Sequence, residues 1–314
     1  TVTISGTVKE DEILTAVTTS IADEDGLTTF SYQWKRDELD ITGATSATYT
    51  LVQADVGKKI TVTVSYTDGE DTSESLTSNE TIDVVNVNDP LTGTVTISGT
   101  VKEDETLTAV TSDLSDEDGF ASFSYQWKRG EVEITGATSA TYLLVQADVG
   151  NNIKVTVFYT DFYGNTGNKT SDFTINVVNV NDVLTGSVTI SGTPTQGEVL
   201  TAVTTSIADE DGLTTFSYQW KRGGSDISGA TSSTYLLTQE DVGNQITVTA
   251  SYTDGEGAAE STTSNPTDEV ANVNDDPSGT VTISGTPTQG EVLTASNNIA
   301  DVDGMGTITY TWSN

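Results

Sequence analysis

The chain has 314 residues, with 12 Lys+Arg against 47 Asp+Glu for a formal net charge of −35, and it contains neither cysteine nor histidine. That acid excess argues against nucleic acid or an anionic membrane surface as partner and makes cations the natural counterpart. Lack of cysteine excludes disulfides, thiolate metal sites and thiol redox chemistry. No apolar run approaches the ~18 residues of a membrane span, so direct membrane insertion is not expected, and a start at Thr1 reads as an excerpt from a longer exported chain.

The segment TVTISGT opens at Thr1 and returns at Thr94 and Thr280, with SVTISGT at Ser187, a period of 93 residues. A fixed period decides the architecture before any local motif. The expected domains are residues 1–90, 91–183 and 184–276, with 277–314 the truncated start of a fourth copy. Units of this size are small but credible independent domains, and a hydrophobic fraction of 34% allows each one modest core.

In chain order, the first copy alternates through TVTISG, ILTAVTTS, FSYQWKR, ATYTLV, KITVTVSYTD and ETIDVVNV, all rich in Val, Ile, Thr and Tyr. Glycines punctuate these segments at Gly6, Gly26, Gly43, Gly57 and Gly69. Only the short VQADVG stretch departs from strand patterning. The expected fold class is all-β, a tandem, end-to-end array of Ig-like β-sandwich domains of about seven strands each. Phe30, Tyr32 and Trp34 share one strand face, so Trp34, with Trp127, Trp220 and Trp312, is the expected core anchor. Asp55, Asp148 and Asp241 are expected to pair with Arg36, Arg129 and Arg222 as structural ion pairs.

The segments YQWKR, ITGATSATY, QADVG, VTVSYTDG and NVND resemble the tandem Ig-like or cadherin-like units of giant bacterial surface adhesins, the biofilm-associated and RTX-type exported proteins, over nearly the whole chain. That resemblance implies an extracellular array on the bacterial cell surface with calcium between domains. An Ig-like topology places the acidic loops at the two poles of each sandwich, where they meet the linkers. One junction gathers Glu12, Asn86, Asn88, Asp89, Asp116, Asp118 and Asp161. The next gathers Glu105, Asn179, Asn181, Asp182, Asp209, Asp211 and Asp254, and the last Glu198, Asn272, Asn274, Asp275, Asp301 and Asp303. Asp23, Asp25 and Asp68 form the corresponding set of the first copy. These are hard oxygen ligands suited to Ca2+, which takes roughly 6–8 of them, and the arrangement is similar to cadherin junctions. The competing reading is a set of solvated Asp-Gly turns.

The acidic loop does not continue into an EF-hand, and the sequons at Asn79 and Asn168 carry no role. No nucleophile, base and orienter set is present, so enzyme activity is not expected. The leading expectation is a non-enzymatic spacer whose partners are calcium ions and neighbouring repeats of its own chain. Three sandwiches with strands of ~10 residues would reach ~100 Å or more. The alternative is a subunit of a surface layer or extracellular filament, with lateral self-association driven by calcium. A carbohydrate-binding module ranks below both.

Overall fold

A computed structural model describes residues 1–313, which form two compact units, Thr1–Val178 and Asn179–Asn314. The first unit holds two sandwiches and the second holds one, followed by the opening strands of a fourth copy.

In the first sandwich, β1 (Thr3–Ser5), β2 (Ile13–Val17) and β5 (Thr48–Thr50) make one antiparallel sheet in the order β1-β2-β5. The facing sheet runs β4-β3-β6-β7, from β3 (Ser31–Arg36), β4 (Leu39–Asp40), β6 (Ile60–Thr67) and β7 (Ser73–Thr77). The second sandwich repeats this with β8 (Thr96–Ser98), β9 (Thr106–Val110), β10 (Ser122–Arg129), β11 (Val132–Glu133), β12 (Thr141–Leu143), β13 (Ile153–Thr160) and β14 (Thr166–Thr170). The third does so from β15 (Thr189–Ser191) to β21 (Ala259–Thr263). This two-sheet arrangement of short antiparallel strands is the Ig-like sandwich expected from the alternation.

Alternation explains which faces pack. On β6, Ile60, Val62, Val64 and Tyr66 point inward and meet Leu14, Ala16 and Trp34. Trp34, Trp127 and Trp220 are fully buried. Each stacks on a tyrosine, with centroids 5.7–5.8 Å apart, and donates its indole N–H to a backbone carbonyl at 2.9 Å. The VQADVG stretch is a single 3-10 turn, Gln53–Asp55, repeated at Gln146–Asp148 and Gln239–Asp241.

Two segments differ from expectation. Ser73–Thr77 is a strand that alternation does not reveal, because all five residues are exposed on the sheet edge. ETIDVVNV forms no strand but makes isolated parallel bridges, Val84 to Val56 and Val85 to Lys9, with Val84 still buried in the core. Among the described residues of the fourth copy, β22 (Val281–Ser284) and β23 (Thr294–Asn297) pair and Ser278 bridges Ala300, while Trp312 is exposed.

The Asp-Arg pairs form as expected. Asp148 is fully buried and accepts bonds from Arg129 Nε at 2.8 Å, the Tyr142 hydroxyl at 2.8 Å and the Val145 N–H at 3.0 Å. Burial and the bond to the carboxylate push the Tyr49 and Tyr142 phenols up to about 12, which keeps each hydroxyl a donor. Removing one partner of such a pair strands a buried charge. Arg129→Ala, which leaves the buried Asp148 carboxylate without its counter-ion, is therefore expected to cost the second sandwich ~3 kcal/mol, seen as one urea transition moving to lower denaturant in tryptophan fluorescence. An unmoved transition would mean that the pair contributes nothing to stability.

Candidate metal centre

The first linker, residues 84–93, is laced to the sandwich on either side of it by a short series of backbone bonds. Val85 accepts the Glu10 N–H at 3.0 Å, and the Val87 N–H then donates to Glu10 Oε2 at 3.1 Å. Two residues on, the Asp89 N–H donates to Asp118 Oδ2 at 3.0 Å, and Thr92 exchanges backbone bonds with Ser115. Val87 and Asp89, two residues apart, thus give their N–H groups to carboxylates of different sandwiches. At Gly93, with φ +82°, a Cβ would lie 1.9 Å from the Asp113 carbonyl oxygen, so only glycine permits the close approach that seats the linker on the next loop.

Carboxylates follow the backbone. Glu10 (3% exposed), Asp89 and Glu117 bring one oxygen each to within 4.8 Å of one another. Asp118, 2% exposed, is held by its own N–H bond to Asp116 Oδ1 at 3.0 Å. Asp25, at the same position in the first copy, is exposed. Unit charges at such spacing repel by roughly 1 kcal/mol in water and roughly 3 kcal/mol at an effective dielectric of 20. The Glu10 carboxyl is accordingly pushed up by burial, against the Val87 N–H that lowers it, and further up by Asp89, Asp11 and Asp118. Asp89 is pushed up by burial and then by Glu117, Asp118, Asp11 and Asp116.

Glu12, Glu105 and Glu198, the glutamates expected from sequence, are exposed and lie outside the groups that converge. Lys9–Glu12 is a turn closed by the Glu12 N–H on the Lys9 carbonyl, with Asp11 at φ +64°. Gly197, at φ +83°, takes that position in the third copy, as a type II turn prefers at its third residue. The turn presents its second residue, Glu10, to the linker, while the fourth, Glu12, is exposed just before β2. The drift from KEDE to TQGE was the available signal, since a glycine at the Asp11 position marks the turn and hence the residue before it.

Of the other expected residues, Asn86 is half-buried, while Asn88 is exposed and bonds the Asp89 carbonyl. Asp161 is buried but occupied, accepting from the Tyr163 and Asn165 N–H groups and the Asn165 amide, and Asp68 likewise closes its own turn. Asp23 accepts from the Tyr66 hydroxyl at 2.8 Å. In the second unit, the Asp182 N–H donates to Asp211 Oδ2 at 2.7 Å and the Asp275 N–H to Asp303 Oδ2 at 2.7 Å. Asp209 and Asp301 accept from the N–H two residues on, while Asn181 and Asn274 repeat the Asn88 contact. Asn179 is half-buried, and Asn272 is exposed. Asp254 is 4% exposed, with Oδ1 taken by its turn and Oδ2 buried without a partner.

Gln53 and Tyr163 were not foreseen. With its amide oriented so that nitrogen faces Glu10, Gln53 donates to both carboxylate oxygens at 2.7 and 3.0 Å, leaving its oxygen 3.5 Å from the Tyr163 hydroxyl. The donor set fits a hard divalent cation: all-oxygen, anionic, with an orphaned buried carboxylate oxygen at Asp116 and a neighbour that orients Glu10.

No protein-family model and no curated protein matches the chain. Solved structures similar to it include a Ca2+-stabilized adhesin of an Antarctic bacterium that binds ice (12% identity, 90% of this chain, 76% of that one, TM-score 0.29). They also include another bacterial ice-binding adhesin (14%, 85% and 92%, 0.28) and three domains of mouse cadherin-23 (13%, 83% and 90%, 0.30). Bacterial adhesins and a cadherin are thus among its structural neighbours. At such identities the likeness concerns fold alone, and the chemistry rests on the site's own geometry. Among the described residues no helix is long and apolar enough to cross a membrane.

The raised carboxyls give a pH test. A folded-state pKa above the unfolded value means that stability is full below the unfolded pKa, near 4.5 for Glu10, and is lost as pH rises through the folded value. In chelator, the melting temperature of the chain is expected to fall between pH about 4 and about 7 by more than that of Glu10→Gln. Equal pH profiles for the two chains would show that Glu10 is not under strain.

Proposed function

We propose that this chain is a non-enzymatic extracellular spacer of a bacterial surface adhesin, an array of Ig-like repeats stiffened by calcium held at the linkers. The observation that carries the reading is the convergence of Glu10, Asp89 and Glu117, three carboxylates from one sandwich, its linker and the next loop. Glu10, Asp89, Glu117 and the Asp116–Asp118 pair would hold the ion. Calcium would supply positive charge that turns their mutual repulsion into attraction. A site at ~100 times its dissociation constant adds ~2.7 kcal/mol to the bound arrangement, enough to hold a hinge in one orientation.

Repetition, acidity and the resemblance of NVND and QADVG to adhesin units support the extracellular placement. The cores support a passive role, since each is closed around its tryptophan. Small-angle scattering of the chain at several concentrations, with calcium and then chelator, tests the reading. A narrow monomer whose maximum dimension is well defined with calcium and blurs on chelation is expected. Unchanged scattering would reduce the acidic loops to solvated turns, and calcium-dependent growth in mass would favour the surface-layer alternative.

A further inference from the structure

The third linker is built from different side chains at two of the three converging positions. Gln196 stands where the first copy has Glu10, and Val302 stands where the second has Glu117. Asp275 alone remains of the trio, at the position of Asp89.

We propose that the cation position made by Glu10, Asp89 and Glu117 is replaced at the third linker by a direct amide-to-carboxylate hydrogen bond between Gln196 and Asp275, so that this side of the linker is held without an ion. The proposal rests on the calcium reading above and makes the joints of the array chemically unequal.

Gln196 preserves the half of the Glu10 contact that seats the backbone. The Val273 N–H donates to Gln196 Oε1 at 3.2 Å, as the Val87 N–H donates to Glu10 Oε2 at 3.1 Å. The other half changes sign. Glu10 and Asp89 oppose oxygen to oxygen, which leaves both without a donor between them unless a cation or proton intervenes. Gln196 Nε2 instead donates to Asp275 Oδ2 at 2.8 Å, a bond to a charged acceptor that needs no third party.

Val302 completes the exchange. It is 64% exposed and offers no oxygen, so the third corner of the trio is gone as well. A glutamate there would have opposed Asp275 as Glu117 opposes Asp89. With Gln196 already satisfying Asp275, such a charge would have had no counter-ion to share. The two replacements are therefore chemically consistent with each other.

The exchange is confined to one side. Asp303 still donates its N–H to Asp301 Oδ1 at 2.9 Å and accepts the Asp275 N–H, and its Oδ1 remains buried without a partner. The Asp301–Asp303 side keeps its capacity for a cation, so the expected difference is one ion position, not the loss of all binding at this linker.

Calcium bound by the full 314-residue chain, counted by native mass spectrometry and by equilibrium dialysis, tests this through reciprocal exchange. Glu10→Gln with Glu117→Val is expected to bind one ion fewer than the parent, and Gln196→Glu with Val302→Glu one ion more. Tryptophan emission reports that the sandwich cores of each variant are intact. Should the first variant lose an ion while the second gains none, the inference falls and the calcium reading stands. If the parent binds calcium but the first variant loses none, the trio is not an ion position and the inference falls for that reason. A parent chain that binds no calcium overturns the calcium reading itself, and this inference with it.

Discussion

The structure turns on where an extended linker sends its N–H groups. The Val87 N–H donates a hydrogen bond to a carboxylate of the sandwich behind, and the Asp89 N–H donates one to a carboxylate of the sandwich ahead. A buried backbone N–H has to find an acceptor, and here the acceptors are charged. Each domain therefore reaches the linker with an acid, and the bonds that order the linker also crowd the charge. Ordering and repulsion arise from the same side chains, and neither can be removed without the other unless the chemistry of one partner changes.

The sandwiches are insulated from that conflict. Each core is closed by a buried tryptophan, its stacked tyrosine and an aspartate bound at once by arginine, tyrosine and the backbone. The Asp241 carboxyl shows the balance: burial raises it, but the Thr238 N–H, Arg222 and Tyr235 together hold it below the usual carboxylate range. It is a satisfied buried charge, whereas Glu10 and Asp89 are crowded ones. The same residue chemistry thus gives a satisfied carboxylate in one place and a crowded one in another, depending on whether donors or other carboxylates surround it.

Much of this was legible in the sequence. The 93-residue period, the strand alternation, the tryptophan and its Asp-Arg neighbour all lie in local patterns that the fold follows directly. The Asp-x-Asp loop and the linker aspartate were also legible, because their contact is fixed by short local turns and one backbone bond. Three features were hidden. Ser73–Thr77 is an exposed edge strand without hydrophobic alternation. Glu10 lies two residues from the glutamate that persists through the copies, and only the turn geometry at Asp11 distinguishes them. Gln53 and Tyr163 meet through tertiary structure, 110 residues apart, and no periodicity marks them.

Differences between copies carry more information than their identities. A duplicated unit keeps its turns whether or not they bind anything, so a repeated acidic loop alone separates nothing. Gln196 and Val302 bear on the calcium reading proposed above. If the loops were solvated turns, exchange of Glu10 for glutamine would have no reason to coincide with exchange of Glu117 for valine, since the two lie on different loops and share no backbone bond. They share only the space between their oxygens. Loss of both charges, with an amide donor supplied to the single carboxylate that remains, is the outcome that electrostatics requires when an intervening cation is given up. Under the proposed calcium reading the third linker is the counterpart of the first: one would hold its acids apart for an ion, and the other closes the gap with a hydrogen-bond donor.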